Sequence, residues 1–183
     1  MDRVARGQKL TKSVDNDVAD EELRARSNLI SSVELALVLV SQDSKRWIST
    51  CAASIGETRL SQLDWQVLIR LYYSSDDKRA TGLAYLLRIE DIHLVNYAQR
   101  KLLKYKLIKK EKRGKEAYFF LTQTGRTLCD EYFKARSKYL VQRTFDKEYG
   151  DVYFENLARL LNELSELYKD TSYLTALASS KPG

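Results

Sequence analysis

The stretch DIHLVNYAQRKLLKYKLIKKEKRGKEAYFFL, residues 91–121, predicts an amphipathic helix followed by a β-hairpin. In the helix, expected over 91–105, residues at helical spacing form two opposite faces. The face expected to pack comprises Ile92, Val95, Gln99 and Leu102. The face expected to point outward comprises His93, Asn96, Tyr97, Arg100 and Lys104. The hairpin pairs residues 108–112 with 116–121 around Arg113-Gly114-Lys115, because glycine supplies the positive φ that a tight turn commonly requires.

The positive charge of the chain is concentrated around this stretch. Between Lys78 and Tyr118 twelve lysines and arginines stand against four acidic residues, a local net of +8, whereas the whole chain carries +6. A basic helix beside a basic hairpin is the layout of a helix-turn-helix with a wing, so the leading hypothesis is DNA binding. The alternative is a solvated basic face, which is what most charge runs are.

Length and composition exclude several classes of protein. The 183 residues include seven glycines and a single proline, Pro182, so most of the chain should be helical and strands should be confined to the hairpin. The longest apolar stretch, residues 29–40, is shorter than the roughly 20 residues of a membrane span, and no secretory signal is visible, so a cytoplasmic location is expected. Cys51 and Cys129 lie far apart in the chain, and the sequence contains a single histidine. We therefore expect no zinc site, disulfide or cofactor.

Hydrophobic spacing and capping residues predict the other helices. A long helix should begin near Asp20 and end near Gly56. Ser61 and Asp64 should cap a second helix, whose predicted core residues are Trp65, Leu68, Ile69 and Tyr72. After a loop over 74–79, a short helix over 81–87 should bury Leu83, Leu86 and Leu87. Two further helices are expected, over 122–144 and after Gly150.

The predicted fold class is mainly α, a winged helix-turn-helix with a three-helix core and a β-hairpin wing, flanked by long terminal dimerisation helices. The expected segments are a flexible N-terminal arm (1–20), an N-terminal dimerisation helix (21–56), a winged-helix DNA-binding domain (57–126), C-terminal dimerisation helices (127–174) and a frayed tail (175–183).

Local motifs resemble the multiple-antibiotic-resistance regulator (MarR) family of winged-helix transcription factors. LSQLDWQVL, residues 60–68, looks like the start of that family's second helix, and GLAYLL, residues 82–87, looks like its short helix. The segment 102–109, whose last six residues are KYKLIK, resembles the family's "leucine, charged residues, glycine-leucine-valine" entry to the wing. LTQTGR, residues 121–126, is similar to the "leucine-threonine-x-x-glycine" that follows the wing.

The expected roles of the basic region follow from the chemistry of DNA grooves. The outward residues His93, Asn96, Tyr97 and Arg100 are candidates for reading bases in the major groove, with Asn96 suited to adenine and Arg100 to guanine. Candidates for phosphate contacts are Lys101, Lys104, Lys109, Lys110 and Lys112. Arg113 and Lys115, at the tip of the wing, could enter the minor groove.

The resemblance further implies a homodimer, joined through the first and last two helices, and a small aromatic effector. Trp47, Cys51, Trp65 and Tyr72 are candidates to line the effector pocket, although an aromatic stripe at this spacing is more often plain core. The apolar residues expected at the dimer interface, or else in an ordinary intramolecular core, are Ile30, Leu37, Phe145, Tyr153, Phe154, Leu160 and Leu164.

Three classes of function are therefore compared. The leading prediction is a dimeric regulator, a repressor that occludes a promoter by binding a pseudo-palindromic site in double-stranded DNA. The alternative is a winged-helix module that binds protein or structured RNA. An enzyme is the least supported class, because no nucleophile elbow or phosphate-cradling glycine loop is present. A redox role for Cys51 or Cys129 is weaker still, since a reactive thiol needs exposure and a lowered pKa.

Overall fold

The computed structural model describes the backbone of residues 3–73, 79–147 and 149–180, and the side chains of the same ranges from residue 20 onward. The chain divides into two compact units, with the boundary in the sequence after Gly125. The elements of the first unit are α1 (Arg3–Ser54), α2 (Gln62–Tyr73), α3 (Ala80–Leu86), α4 (Ile92–Lys104), β1 (Ile108–Arg113) and β2 (Glu116–Leu121). Helix α5 (Gln123–Arg136) begins at the end of this unit. The second unit continues with a π-helical turn (Ser137–Val141), α6 (Gln142–Asp146) and α7 (Asp151–Ser179).

The core of the first unit is a three-helix cluster of α2, α3 and α4, closed by the hairpin. Helix α4 packs against α2, α3 and β1, and α2 also contacts α1 and β2. Trp65 and Leu68 of α2, Leu83 of α3 and Leu102 of α4 are fully buried. This is the winged helix-turn-helix architecture that the sequence predicts.

Helix α2 starts at the predicted cap. The backbone N–H of Ser61 donates to Asp64 Oδ2 at 2.7 Å, and the N–H of Asp64 donates to Ser61 Oγ at 3.3 Å. This reciprocal capping box satisfies two backbone donors that a helix start otherwise leaves free. The predicted stripe of α2 is partly right, since Ile69 and Tyr72 are only half-buried. Val67 and Leu71, which the spacing did not single out, are buried instead.

The wing is a two-stranded antiparallel hairpin, as predicted, although its first strand extends one residue further, to Arg113. Ile108 pairs with Leu121 and Arg113 with Glu116. Gly114, with a φ of 62°, lies at the first central position of the two-residue turn, where a type II′ turn requires a positive φ. The buried side chains of the hairpin, those of Ile108 and Phe119, attach it to the core.

The leucine-threonine-x-x-glycine segment joins the wing to α5. Thr122 Oγ1 donates to the carbonyl of Lys106 at 2.7 Å and accepts from the N–H of Gly125 at 3.1 Å. A Cβ at Gly125 would stand 2.0 Å from the carbonyl oxygen of Leu107. Glycine is therefore required here, because any side chain would collide with backbone.

The loop between α1 and α2 contacts the C-terminal end of α4. The carboxylate of Glu57 is buried and pairs with the guanidinium of Arg59, whose backbone N–H also donates to Glu57 Oε1 at 2.7 Å. The hydrogen bond from the Arg59 side chain is the main cause that lowers the pKa of Glu57. The same guanidinium lies 4.6 Å from the centre of the Tyr105 ring, at the C-terminal end of α4.

Three boundaries differ from the sequence-based expectation. Helix α1 begins at Arg3, well before the expected start near Asp20, and residues 1 and 2 of the expected arm lie outside the described residues. Helix α7 continues to Ser179, past the expected start of a frayed tail, while 181–183 lie outside the description. The expected start near Asp20 depended on an apolar stripe, whereas a helix can continue through polar residues wherever no breaker intervenes. The expected helix over 122–144 is interrupted by the π-helical turn, and residues 74–78 of the expected loop are outside the described ranges.

Candidate nucleic-acid interface

The helix that carries the candidate base-reading residues begins where the sequence predicts. Asp91 is its N-cap, and the Asp91 side chain accepts from the N–H of His93 at 2.8 Å. Its negative charge also suits the positive end of the helix dipole. The inward side of α4 is formed by the buried residues Val95, Ala98, Gln99 and Leu102.

The outward side of α4 presents the predicted residues to solvent. His93, Tyr97, Arg100 and Lys104 are exposed and Asn96 is half-buried. Leu94 is also exposed, which the sequence-based description of the face missed. A helix of 13 residues with one packed side and a polar, basic side has the shape required to enter a major groove.

Clefts flank α4 on both sides. The cleft towards the wing, here called the wing-side cleft, has a volume of about 350 Å³. It is lined by His93, Asn96, Gln99, Arg100 and Leu103 of α4 and by Lys110 and Phe119 of the hairpin. The cleft on the opposite flank has a volume of about 420 Å³ and is lined by Tyr97, Arg100, Lys101, Lys104 and Tyr105. Arg100 lines both clefts and therefore lies between them on the exposed side of α4.

The cations of the wing fall into two groups. Lys110, Lys112 and Lys115 are exposed. Lys109 and Arg113 are exposed as well and share Glu111, with Nζ of Lys109 at 2.8 Å and a guanidinium nitrogen of Arg113 at 3.5 Å from its carboxylate oxygens. The hydrogen bond from Lys109 is the main cause that lowers the pKa of Glu111, so this acid remains charged and offsets part of the positive field.

Aromatic rings support the guanidinium near the tip of the wing. Arg113 lies 5.0 Å from the ring centre of Tyr118 and 5.4 Å from that of Phe120. Contacts of this kind hold a long side chain extended along the strand. A minor-groove role for Arg113 stays a prediction.

Lys101 differs from the other predicted phosphate contacts in its surroundings. Its ammonium Nζ lies 2.6 Å from Asp64 Oδ2, and the two side chains are 23% and 1% exposed. This ion pair connects α4 to α2, and a phosphate contact of Lys101 stays a prediction. Sequence reasoning missed this ion pair because Lys101 and Asp64 are far apart in the chain and each fits another pattern.

The four residues proposed to line an effector pocket lie at the contact of α1 with α2. Cys51 and Trp65 are buried, while Trp47 and Tyr72 are half-buried. This placement is that of a core, which was the alternative interpretation. The effector pocket stays a prediction.

Comparisons with known proteins agree with this geometry. Residues 60–125 match the family model described as a winged helix DNA-binding domain. No curated protein matches the chain. Among solved structures, a MarR family transcription regulator superposes with a TM-score of 0.65 at 10% identity, covering 81% of this chain and 95% of that chain. A MarR transcriptional regulator from Methanosarcina mazei Go1 gives 0.58 at 18% identity, with 78% and 90% covered.

A third structure is that of reduced AbfR bound to DNA, with a TM-score of 0.62 at 15% identity and 79% and 98% of the two chains covered. Residues 60–125 thus match a winged helix DNA-binding domain. The chain as a whole has the fold of MarR-family winged-helix transcription regulators, as the sequence resemblance predicts. No helix in the described ranges is both long and apolar enough to cross a membrane.

Proposed function

We propose that this chain is a homodimeric transcriptional regulator that binds a pseudo-palindromic site in double-stranded DNA. Helix α4 enters the major groove and the wing contacts the flanking minor groove. The observation that carries the proposal is the exposed face of α4, with Asn96, Tyr97 and Arg100 beside the basic wing in one winged helix DNA-binding domain. The fold shared with AbfR, which has been solved bound to DNA, supports the same assignment.

In this proposal one group of side chains reads bases and another binds phosphates. Arg100 and Asn96, on the exposed face of α4, read base edges, because their paired donors and acceptors match guanine and adenine. Lys104, Lys110, Lys112 and Lys115 bind phosphates, which supply affinity without reading sequence. Bound to a promoter, such a protein excludes polymerase and acts as a repressor.

Exposed apolar side chains support a dimer. In the single chain Ile30 of α1 is 50% exposed, and Leu160 of α7 is 53% exposed. Other exposed apolar residues that the sequence assigns to the interface are Phe145, Tyr153 and Phe154. Leaving this much apolar surface in water is unfavourable, and a second copy of the chain would cover it. The small aromatic effector implied by the resemblance remains a prediction.

The division of labour on α4 and the wing is tested with two variants and a control. A preferred site is first selected from random duplexes with the wild-type protein. We expect Arg100→Ala to reduce affinity for that site to nearly that for random DNA. We expect Lys110→Ala to weaken all duplexes about equally and to lower the salt slope by about one counterion. Arg46→Ala, which removes an exposed cation of α1 outside the matched domain, should leave both affinities unchanged.

Equal losses on selected and random DNA from both variants would contradict the assignment of roles. Selection that yields no preferred duplex, together with tight binding of structured RNA or of a protein, would favour the alternative of an interaction module.

A further inference from the structure

Gln99 of α4 is a polar residue in a core position. Its residue surface is 2% exposed, and within the described residues neither the Nε2 donor nor the Oε1 acceptor of its amide has a hydrogen-bond partner. Folded proteins pair nearly all such groups, because a buried donor or acceptor without a partner loses its hydrogen bonds to water and forms none within the protein. Leucine or methionine would fill the same volume without that cost. Packing therefore does not explain the glutamine.

The position of Gln99 on α4 brings it to the edge of the reading face. At 100° per residue it falls within about 60° of Asn96 and about 40° of Leu103, on the flank of the helix that faces the wing. Gln99 lines the wing-side cleft, whose volume is about 350 Å³. The rim of that cleft carries His93, Asn96 and Arg100, and Lys110 of β1 faces them.

The chemistry around the cleft matches one feature of a duplex. A primary amide presents a donor and an acceptor side by side, which is the complement of the N6 and N7 edge of adenine. Arg100 and Lys110 beside it favour a group that is close to phosphates. Resting on the proposed function, we infer that Gln99 is a further specificity-determining residue, whose amide turns into the wing-side cleft and selects an adenine·thymine pair. The energy otherwise lost by its unpaired amide is recovered only when that base is present.

The test compares Gln99→Leu with wild type on a panel of duplexes. In the panel each base pair of the wild-type selected site is changed in turn. We expect wild type to lose about tenfold in affinity when one adenine·thymine pair of each half-site is changed, and Gln99→Leu to lose this discrimination at that pair alone. Affinity for random DNA should stay within twofold of wild type. The melting temperature should be equal or higher, because an unpaired amide has been removed.

A second measurement does not depend on the variant having the native DNA affinity. In a nitrogen-15 correlation spectrum, the side-chain amide signal absent from Gln99→Leu, or from Gln99→Met if the leucine variant fails to fold, belongs to Gln99. We expect that signal to shift when wild-type protein binds the selected duplex and to stay in place with random duplex.

Discrimination by Gln99→Leu equal to wild type at every base pair, or an amide signal that is unmoved by the selected duplex, would overturn the inference while leaving the proposed function intact. A wild-type protein without any sequence preference would overturn both.

Discussion

Lys106 follows the C-cap of α4 in a backbone conformation that glycine normally adopts. Its φ is 58°, and the two backbone hydrogen bonds of a Schellman motif surround it, from Lys106 N to Leu103 O at 2.9 Å and from Leu107 N to Leu102 O at 3.0 Å. Residues with a Cβ pay roughly 1 kcal/mol or more to adopt this left-handed region. The position corresponds to the glycine of the "glycine-leucine-valine" entry to the wing, so this chain accepts strain there.

We expect Lys106→Gly to stabilise the fold by up to about 1 kcal/mol, because it removes the strain at the cost of some unfolded-state entropy. Lys104→Gly, two residues earlier in helical conformation, should destabilise by about 0.5–1 kcal/mol. The midpoints of denaturant unfolding measure both effects, with an unchanged slope as the condition for comparison. Shifts of the same sign in both variants would contradict the role given to φ at Lys106.

The thiol of Cys129 lies in the interior of the folded chain. Burial is the main cause that raises its pKa to about 12, with the neighbouring charge of Asp130 adding to it. A raised pKa disfavours the thiolate, which is the reactive form of a thiol. This burial argues against a redox sensor at Cys129.

Alkylation of the Cys51→Ser variant tests that conclusion. We expect Cys129 to resist a maleimide or a disulfide reagent at pH 8 for as long as the protein stays folded, and to react within minutes in guanidinium. Rapid modification under native conditions, at a rate that exceeds global unfolding, would show instead an accessible thiolate.

At the scale of elements, one ion pair connects α4 to α2. Asp64 belongs to the cap of α2 and also receives Lys101 of α4 at 2.6 Å. The one carboxylate therefore caps the start of α2 and also binds a side chain of α4. Removing a single partner of a buried pair is costly, because the charge that remains is neither solvated nor neutralised.

We expect Lys101→Met to destabilise the protein by about 3 kcal/mol, because it removes the cationic partner of a buried carboxylate. Combining it with Asp64→Asn should recover part of the loss, because asparagine can still accept from the backbone of Ser61. Lys104→Met, an exposed lysine on the same helix, should change stability by less than about 0.5 kcal/mol. Thermal unfolding of the four proteins tests this, and a double variant less stable than Lys101→Met alone would contradict the pairing.

The wing and the helix capping show how far elements follow from local sequence. The Ser61–Asp64 cap, the Asp91 cap and the turn at Gly114 all lie where spacing predicts them, because each uses residues within a few positions of one another. The predicted start of α1 was wrong, since a polar helical segment without an apolar stripe leaves no periodic signal, and α7 extends past the predicted start of the frayed tail. The exposed side of α4 lies where the sequence predicts, and its base-reading role stays a prediction.

At the scale of the whole molecule, the proposed dimer makes stability and DNA affinity depend on protein concentration. Leu160→Asp places a charge in the apolar surface of α7, and we expect it to shift the protein to monomers in sedimentation at micromolar concentration. Affinity for the full pseudo-palindrome should fall more than tenfold, while affinity for a half-site stays unchanged, because each wing-bearing domain remains intact.

Asn162→Asp is the matched control for this change. It adds the same charge two residues away on the exposed surface of α7, at an angle of about 160° from Leu160 around the helix. We expect it to remain dimeric. Monomers for both variants would indicate a simple charge effect, and dimers for both would place the interface elsewhere.

The amino-acid sequence by itself determined the order of the elements around the wing, the exposed and packed sides of α4 and the concentration of positive charge. Each of these depends on periodicity or on neighbours in the chain. Only the tertiary structure decided which polar residues are paired or buried by other elements. Lys101 of α4 faces Asp64 of α2, and Gln99 lies buried beside the wing-side cleft, with no hydrogen-bond partner for its amide among the described residues. Burial and the pairing of side chains across different elements depend on how those elements pack. The spacing of residues along a single helix does not show which residues of other elements pack against it.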